Sequence, residues 1–249
     1  MSELSELSQQ SWILEVRQRL ALPRIEPGAP GVDGGGNGGG GNGLGTGSDG
    51  DRTAEAAIAV GAASGAATPG AAAVTAPPGA AALVPLYVDA GQLWTLLTER
   101  VAPRRGLTSS LAFPGSQVVE GEEPWEAARR GAQVEAGLDP QVLLELGTLA
   151  PVTTPAGLSV LPCVAALPEA AVRKREDPAA EAGVADVVPF PLRALAAPNL
   201  IEGREVMLGD QVQQLAIYHV GRHRYWGVTA ALLEELLVRL GLGAPVAPG

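Results

Sequence analysis

An α/β sandwich around a mixed β-sheet is the fold this sequence predicts, and three observations predict it. Strand-like segments lie on both sides of one central helix, and the chain closes on an amphipathic helix suited to covering a sheet. At 249 residues and 46% hydrophobic content, the chain supplies one full core but not two large ones.

The folded domain is expected to start at Leu83, where LVPLYVDAGQLWTLLTERV reads as two strands joined by a turn at Asp89, Ala90 and Gly91. A Pro/Gly/Ser-rich loop and an acidic turn then lead to a helix over 124–136. Pro124 suits its first turn, Glu122 and Glu123 favour its positive end, and Gly137 suits the residue beyond it. Strands are expected at 143–151, 158–166 and 184–190. In the helix at 229–240, Leu232, Leu233, Leu236, Leu237 and Leu240 form the apolar face and Gly241 ends it.

Residues 1–24 form a separate element, a helix with Trp12, Val16 and Leu20 at four-residue spacing, stopped by Pro23. Residues 25–82 read as a Gly/Ala/Pro-rich flexible linker, because such residues lose much backbone entropy on ordering and bury little apolar area in return. The domain then occupies 83–243 and a tail 244–249. Two readings of the first helix stand side by side: a frayed tail, or a tethered helix that docks on the core or on a second subunit.

The formal charge of -10 argues against nucleic acid or an anionic membrane surface as a partner, while a few local arginines still allow a phosphorylated small molecule. Cys163 is the only cysteine, so no intramolecular disulfide and no cysteine-based zinc cage is expected; it reads as a small core residue. The N-terminus is acidic where a signal peptide is basic, and no membrane-spanning apolar stretch occurs, so a cytoplasmic location is expected.

The stretch FPGSQVVEGEEPWEAARRGAQVEAGL resembles the Nudix box, whose pattern is G, five residues, E, seven residues, R-E-hydrophobic-x-E-E-x-G-hydrophobic. Gly115 stands beside the opening of the box, Glu122 takes the first glutamate, Arg130 the arginine, Glu135 the last glutamate, and Gly137 with Leu138 the ending. Ser116, Gly131 and Val134 depart from the pattern. The resemblance implies a structural ion pair between Glu122 and Arg130, and carboxylates at 131, 134 and 135 that hold Mg²⁺ or Mn²⁺. Those three positions are i, i+3 and i+4 and are expected to share one helix face, on which this chain offers only Glu135. Glutamates restored at 131 and 134 are expected to rebuild metal binding.

Just upstream, LLTERVAPRRGLTSSLAFPGS resembles the motif preceding the box in coenzyme A pyrophosphatases. Leu96, Leu97, Thr98, Arg100, Arg105, Phe113, Pro114 and Gly115 match it, while Ser109 and Ser116 replace glycines. The resemblance, which covers about 83–240, implies that Arg100 and Arg105 bind a pyrophosphate or 3′-phosphate through charge-assisted hydrogen bonds. RYWGVTA resembles the family's approach to its last helix, and His219 and His223 read as ordinary polar residues near a turn.

Three functions follow. The first is metal-dependent cleavage of coenzyme A or a related nucleotide, with Glu135 as the catalytic carboxylate and metal ligand, joined by substitutes such as Glu120, Glu126 or Glu181; its cofactor is Mg²⁺ or Mn²⁺. The second is non-catalytic binding of a nucleotide- or CoA-like ligand, and the third an interaction platform, neither requiring a metal. The missing ligands favour weak or lost catalysis, and the family likeness alone also suggests a homodimer.

Overall fold

The computed structural model describes residues 7–8, 10–21, 78–101, 111–154, 157–208 and 211–243. The expected linker up to residue 77, the tail 244–249 and Arg105 lie outside these residues. An α/β architecture with a mixed sheet is what they form. The helix α1 (Ser11–Ala21) precedes β1 (Ala80–Asp89), β2 (Gln92–Arg100), β3 (Leu111–Ala112) and β4 (Gly115–Gln117). Then come α2 (Pro124–Ala136), β5 (Leu144–Thr148), β6 (Val152–Thr153), β7 (Ser159–Ala166), α3 (Glu169–Arg173), β8 (Val184–Pro191) and α4 (Leu192–Ala196). The last elements among the described residues are β9 (Leu200–Leu208), β10 (Gln211–Val220), β11 (His223–Tyr225) and α5 (Gly227–Arg239).

The main sheet runs β3-β2-β1-β7-β5, with β4 also paired to β1, β6 to β7 and β8 to β2. Among the described residues only β1 and β7 run parallel, and the connection between them carries α2, as parallel neighbours require a crossover. The period-two geometry of β1 splits its side chains between two cores. Ala80, Ala82, Val84 and Leu86 face the core shared with α1, α5 and the β9–β11 sheet. Ala81, Leu83 and Tyr87 face the core under α2. Cys163 lies on the α2 side as a buried core residue, its thiol pushed up to about 12 by burial.

The strand β1 begins at Ala80, three residues before the expected Leu83. Ala80, Ala81 and Ala82 are buried between β4 and β7, so ladder pairing on both sides places alanines that a composition reading assigns to a linker. The first helix docks on the domain, and its buried side is Ile13, Val16 and Leu20. Trp12, expected on that side, lies only partly buried at its margin. The hairpin β9–β10 was legible only in part: QLAIYHV falls in β10, whereas β9 mixes charged residues and glycine with its apolar ones.

The β1–β2 turn joins Asp89 to Gln92 through two residues with positive φ, Ala90 at 48° and Gly91 at 74°. Two-residue hairpins favour this mirror-image geometry because it matches strand twist, but alanine pays for it with a close approach of its Cβ to the backbone. Ala90→Asn, which tolerates that region, is therefore expected to raise stability by about 0.5–1 kcal/mol in a denaturant melt. A loss of stability would mean the turn adopts another form.

Candidate functional site

Helix α2 is fixed at both ends. At its start the Glu126 carboxylate accepts the Glu123 N–H at 3.0 Å, with Pro124 in the first turn. At its end Gly137 has φ 62°, and a Cβ there would lie 1.8 Å from the Glu176 carbonyl oxygen, so the position admits glycine alone. The following chain straps against this end: Glu176 N–H donates to Gly137 O at 3.0 Å and Ala179 N–H to Val134 O at 2.8 Å.

Glu122 and Arg130 form a two-pronged ion pair, Nε to Oε1 and Nη2 to Oε2 each at 2.9 Å. Arg130 Nη2 also donates to Gln117 O at 2.8 Å, and Glu122 Oε2 accepts the Val119 N–H at 3.0 Å. The loop between β4 and α2 is thereby tied onto the helix. The hydrogen bonds from Arg130 hold the Glu122 carboxyl below the usual carboxylate range, and the same pair raises Arg130.

The face of α2 turned to the sheet is built from Ala127, Ala128, Gly131, Ala132, Glu135 and Ala136. Small side chains let the helix approach closely. A Cβ on Gly131 would stand 2.3 Å from the Gly115 carbonyl carbon, and one on Gly115 would stand 2.5 Å from Ala81 O. Backbone thus rests on backbone from α2 through β4 to β1, and Ser116 Oγ reinforces the contact by donating to Ala127 O at 2.7 Å.

Beside this contact Glu135 is buried, 3% exposed, and faces the end of β2. Arg100 Nη2 lies 2.7 Å from its Oε1, and Gly115 N–H donates to its Oε2 at 3.1 Å. Arg100 Nη1 reaches Ala182 O at 3.4 Å. Burial pushes the Glu135 carboxyl above its ordinary range, against the opposing pull of Arg100 and the Gly115 N–H.

Several expected site residues are not brought together. Val134 is 38% exposed while Gly131 and Glu135 are buried: at about 100° per residue, neighbours 134 and 135 diverge where the helix lies flat on the sheet. Glu126 is engaged at the helix cap, Glu120 is exposed in a turn, and Glu181 is exposed in a 3-10 turn before β8. Among the described residues no three His, Cys, Asp or Glu side chains converge to hold a metal ion. The histidines are elsewhere, with His223 Nδ1 at 3.5 Å from Glu99 Oε1 and His219 Nε2 at 3.3 Å from Glu202 Oε2.

The Arg100–Glu135 pair is the feature sequence reasoning missed. Its signal was present, because Arg100 follows the buried Thr98 by two on a strand and so shares its face, whereas the motif frame directed attention outward to a ligand. The restoration of glutamate at 131 must also be revised, since no side chain fits there without moving α2.

Gly131→Ala is expected to destabilise the protein by about 1–3 kcal/mol through overpacking. Helix propensity alone would give a gain of about 1 kcal/mol, so a melting experiment reads the sign directly. For the ion pair, a depressed carboxyl contributes stability above its unfolded pKa and loses it as pH falls through the lower, folded pKa. Glu122→Gln should therefore cost about 1 kcal/mol near neutrality, reduced by the partial exposure of Arg130, with the difference closing in acid. A pH-independent difference would show that the charge is not the source.

The NUDIX domain family model matches residues 77–208. An Enterobacter sp. (strain 638) protein, "Uncharacterized Nudix hydrolase NudL", is 29% identical over 161 residues, 64% of this chain and 81% of that protein. A Citrobacter koseri protein of the same description is 28% identical over 148 residues, 59% of this chain and 75% of its own. Among solved structures, an M. smegmatis Nudix hydrolase, RenU, shares 25% identity over 48% of this chain and 74% of its own, with a TM-score of 0.37. A C. elegans Ap4A hydrolase in a binary complex shares 25% identity over 45% of this chain and 80% of its own, with a TM-score of 0.36. The family match spans more than half of the 249 residues, and the loop and helix it includes carry the ion pair and caps described above: the chain belongs to the Nudix family.

Proposed function

We propose that this Nudix protein keeps the family's scaffold and a nucleotide- or coenzyme A-like ligand, while metal-dependent pyrophosphate hydrolysis is weak or lost. The observation that carries this reading is the state of Glu135. It is the one box carboxylate on the buried side of α2, and its Oε1 already faces the Arg100 guanidinium at 2.7 Å.

Nudix hydrolases generally use divalent metals such as Mg²⁺ or Mn²⁺, and the residues here do not fit such an ion. Mg²⁺ surrenders its water shell reluctantly and demands near-octahedral oxygen geometry. Gly131 offers neither a ligand nor the space for one, Val134 offers none, and a cation at Glu135 would have to displace a buried guanidinium. No hydrolytic step is therefore assigned to this centre. Glu126 is engaged at the cap of α2, and Glu120 and Glu181, the other substitutes considered from sequence, are exposed; among the described residues no three carboxylate, imidazole or thiol side chains converge to hold an ion.

The ligand class rests on the likeness of the 96–116 segment to coenzyme A pyrophosphatases. In this reading Arg105 supplies a phosphate contact. Arg100 is a positioning residue, since its guanidinium is committed to Glu135 and to Ala182 O. A non-catalytic nucleotide- or CoA-binding module is the form the function then takes.

Calorimetric titration of the full chain with Mn²⁺, then with coenzyme A, followed by chromatographic detection of 3′,5′-ADP and 4′-phosphopantetheine, tests the proposal. The expected result is coenzyme A binding that Arg105→Ala weakens about tenfold, as loss of one charge-assisted phosphate contact would. Mn²⁺ should give no saturable isotherm, and turnover should not exceed that of Glu135→Gln. Saturable Mn²⁺ binding with turnover abolished in Glu135→Gln would overturn it.

A further inference from the structure

Outside the matched 77–208 segment, α1 lies against a surface formed by β5 and α5. The contact has a recognisable grammar. Ile13, Val16 and Leu20 sit at i, i+3 and i+7 and are 0%, 4% and 8% exposed, which aligns them on one helix side. Leu7, in the helical residues 7–8 ahead of α1, adds a fourth apolar side chain to the same core. Opposite them, Leu20 packs over Gly147, its Cβ 3.6 Å from where a Cβ on that glycine would lie, an ordinary van der Waals separation.

Polar contacts fix position and direction. Arg17 Nη2 donates to Glu145 O at 2.7 Å, a carbonyl of β5 beside the bulge between Glu145 and Gly147. Since β5 ends the main sheet path, this side chain satisfies a backbone group at a sheet edge. From the other side, Arg239 Nη1 donates to Leu20 O at 2.8 Å, placing a cation at the negative end of α1. Arg239 is held by Glu235, whose Oε1 also accepts the Ala150 N–H at 3.2 Å. The seat therefore offers an apolar groove, an exposed strand carbonyl at one point and a guanidinium for a helix C-terminus at another.

An 11-residue helix is below the length at which helices persist alone in water. It must fold as it docks, and four apolar side chains have to offset the ordering of the whole segment. Because α1 belongs to the same chain as its seat, docking is intramolecular, which lets a contact of modest intrinsic affinity stay closed.

From this we infer that the β5–α5 surface is a docking site for a short amphipathic helix, occupied in the resting chain by α1 in cis. The α1 segment is then a displaceable cover on the sheet edge, and not an inseparable part of the core. The inference is independent of the catalytic reading, because it uses no residue of the α2 site.

A protease recognition sequence inserted between Gly38 and Gly39 tests it in the full chain. After cleavage, the N-terminal fragment should separate from the domain on dilution through the micromolar range, as followed by size exclusion, and an added peptide of residues 5–22 should restore occupancy. Ile13→Asp in the cleaved protein should weaken retention at least tenfold and Arg17→Ala several-fold, while hydrogen exchange in the uncut Ile13→Asp chain should speed up in β5 and leave α2 unchanged. A fragment that stays bound at nanomolar concentration, or an Ile13→Asp chain whose α2 also loses protection, would make α1 an integral core helix and overturn the proposal. A fragment that fails to co-elute even at 100 μM, or a dimer that exchanges helices between copies before cleavage, would equally overturn occupancy in cis.

Discussion

The backbone contact between Gly131 and Gly115 is the constraint on which the site depends. Because neither residue carries a side chain, α2 settles directly on β4, and β4 in turn rests on the carbonyl of Ala81. That depth decides what the rest of the helix can do. It buries Glu135 deeply enough that a lone carboxylate is costly there, and it brings Arg100 and the Gly115 N–H within reach to compensate. It also leaves Val134 near solvent. A single packing choice thus removes one ligand position, engages a second and turns a third away.

The scaffold around that contact is conservative in a physical sense. The Glu122–Arg130 pair, the cap at Glu126 and the left-handed Gly137 each satisfy backbone or charged groups that the loop–helix–loop would otherwise leave unpaired. None of them requires a metal. This loop and helix can therefore be held together by their own contacts, and on the proposed reading the residues that stabilise the helix are distinct from those that would carry hydrolysis.

Much of the fold was legible because its elements advertise themselves locally. The helix 124–136 carries proline at its start and glycine past its end, and its bounds coincide with those observed. Strands β2, β7 and β8 follow their apolar runs closely. What was not legible depends on contacts distant in sequence. The alanines of β1 read as linker until β4 and β7 flank them, and the side of α1 that is buried is chosen by β5 and α5 rather than by its tryptophan. At the site, the pattern of the box showed which carboxylates are missing. It did not show that Gly131 has no room for one, or that Arg100 at the end of β2 faces the last glutamate.

Whether Glu135 can take an ion is read most directly by nuclear magnetic resonance of the isotopically labelled protein during Mn²⁺ addition, following paramagnetic broadening at the Glu135 carboxyl and the Gly115 amide. Both signals should survive metal concentrations that already broaden exposed acidic side chains such as Glu120, because the carboxylate faces the Arg100 guanidinium. Selective loss of the Glu135 and Gly115 signals at low Mn²⁺ would contradict this expectation, showing an ion where the guanidinium is expected to be.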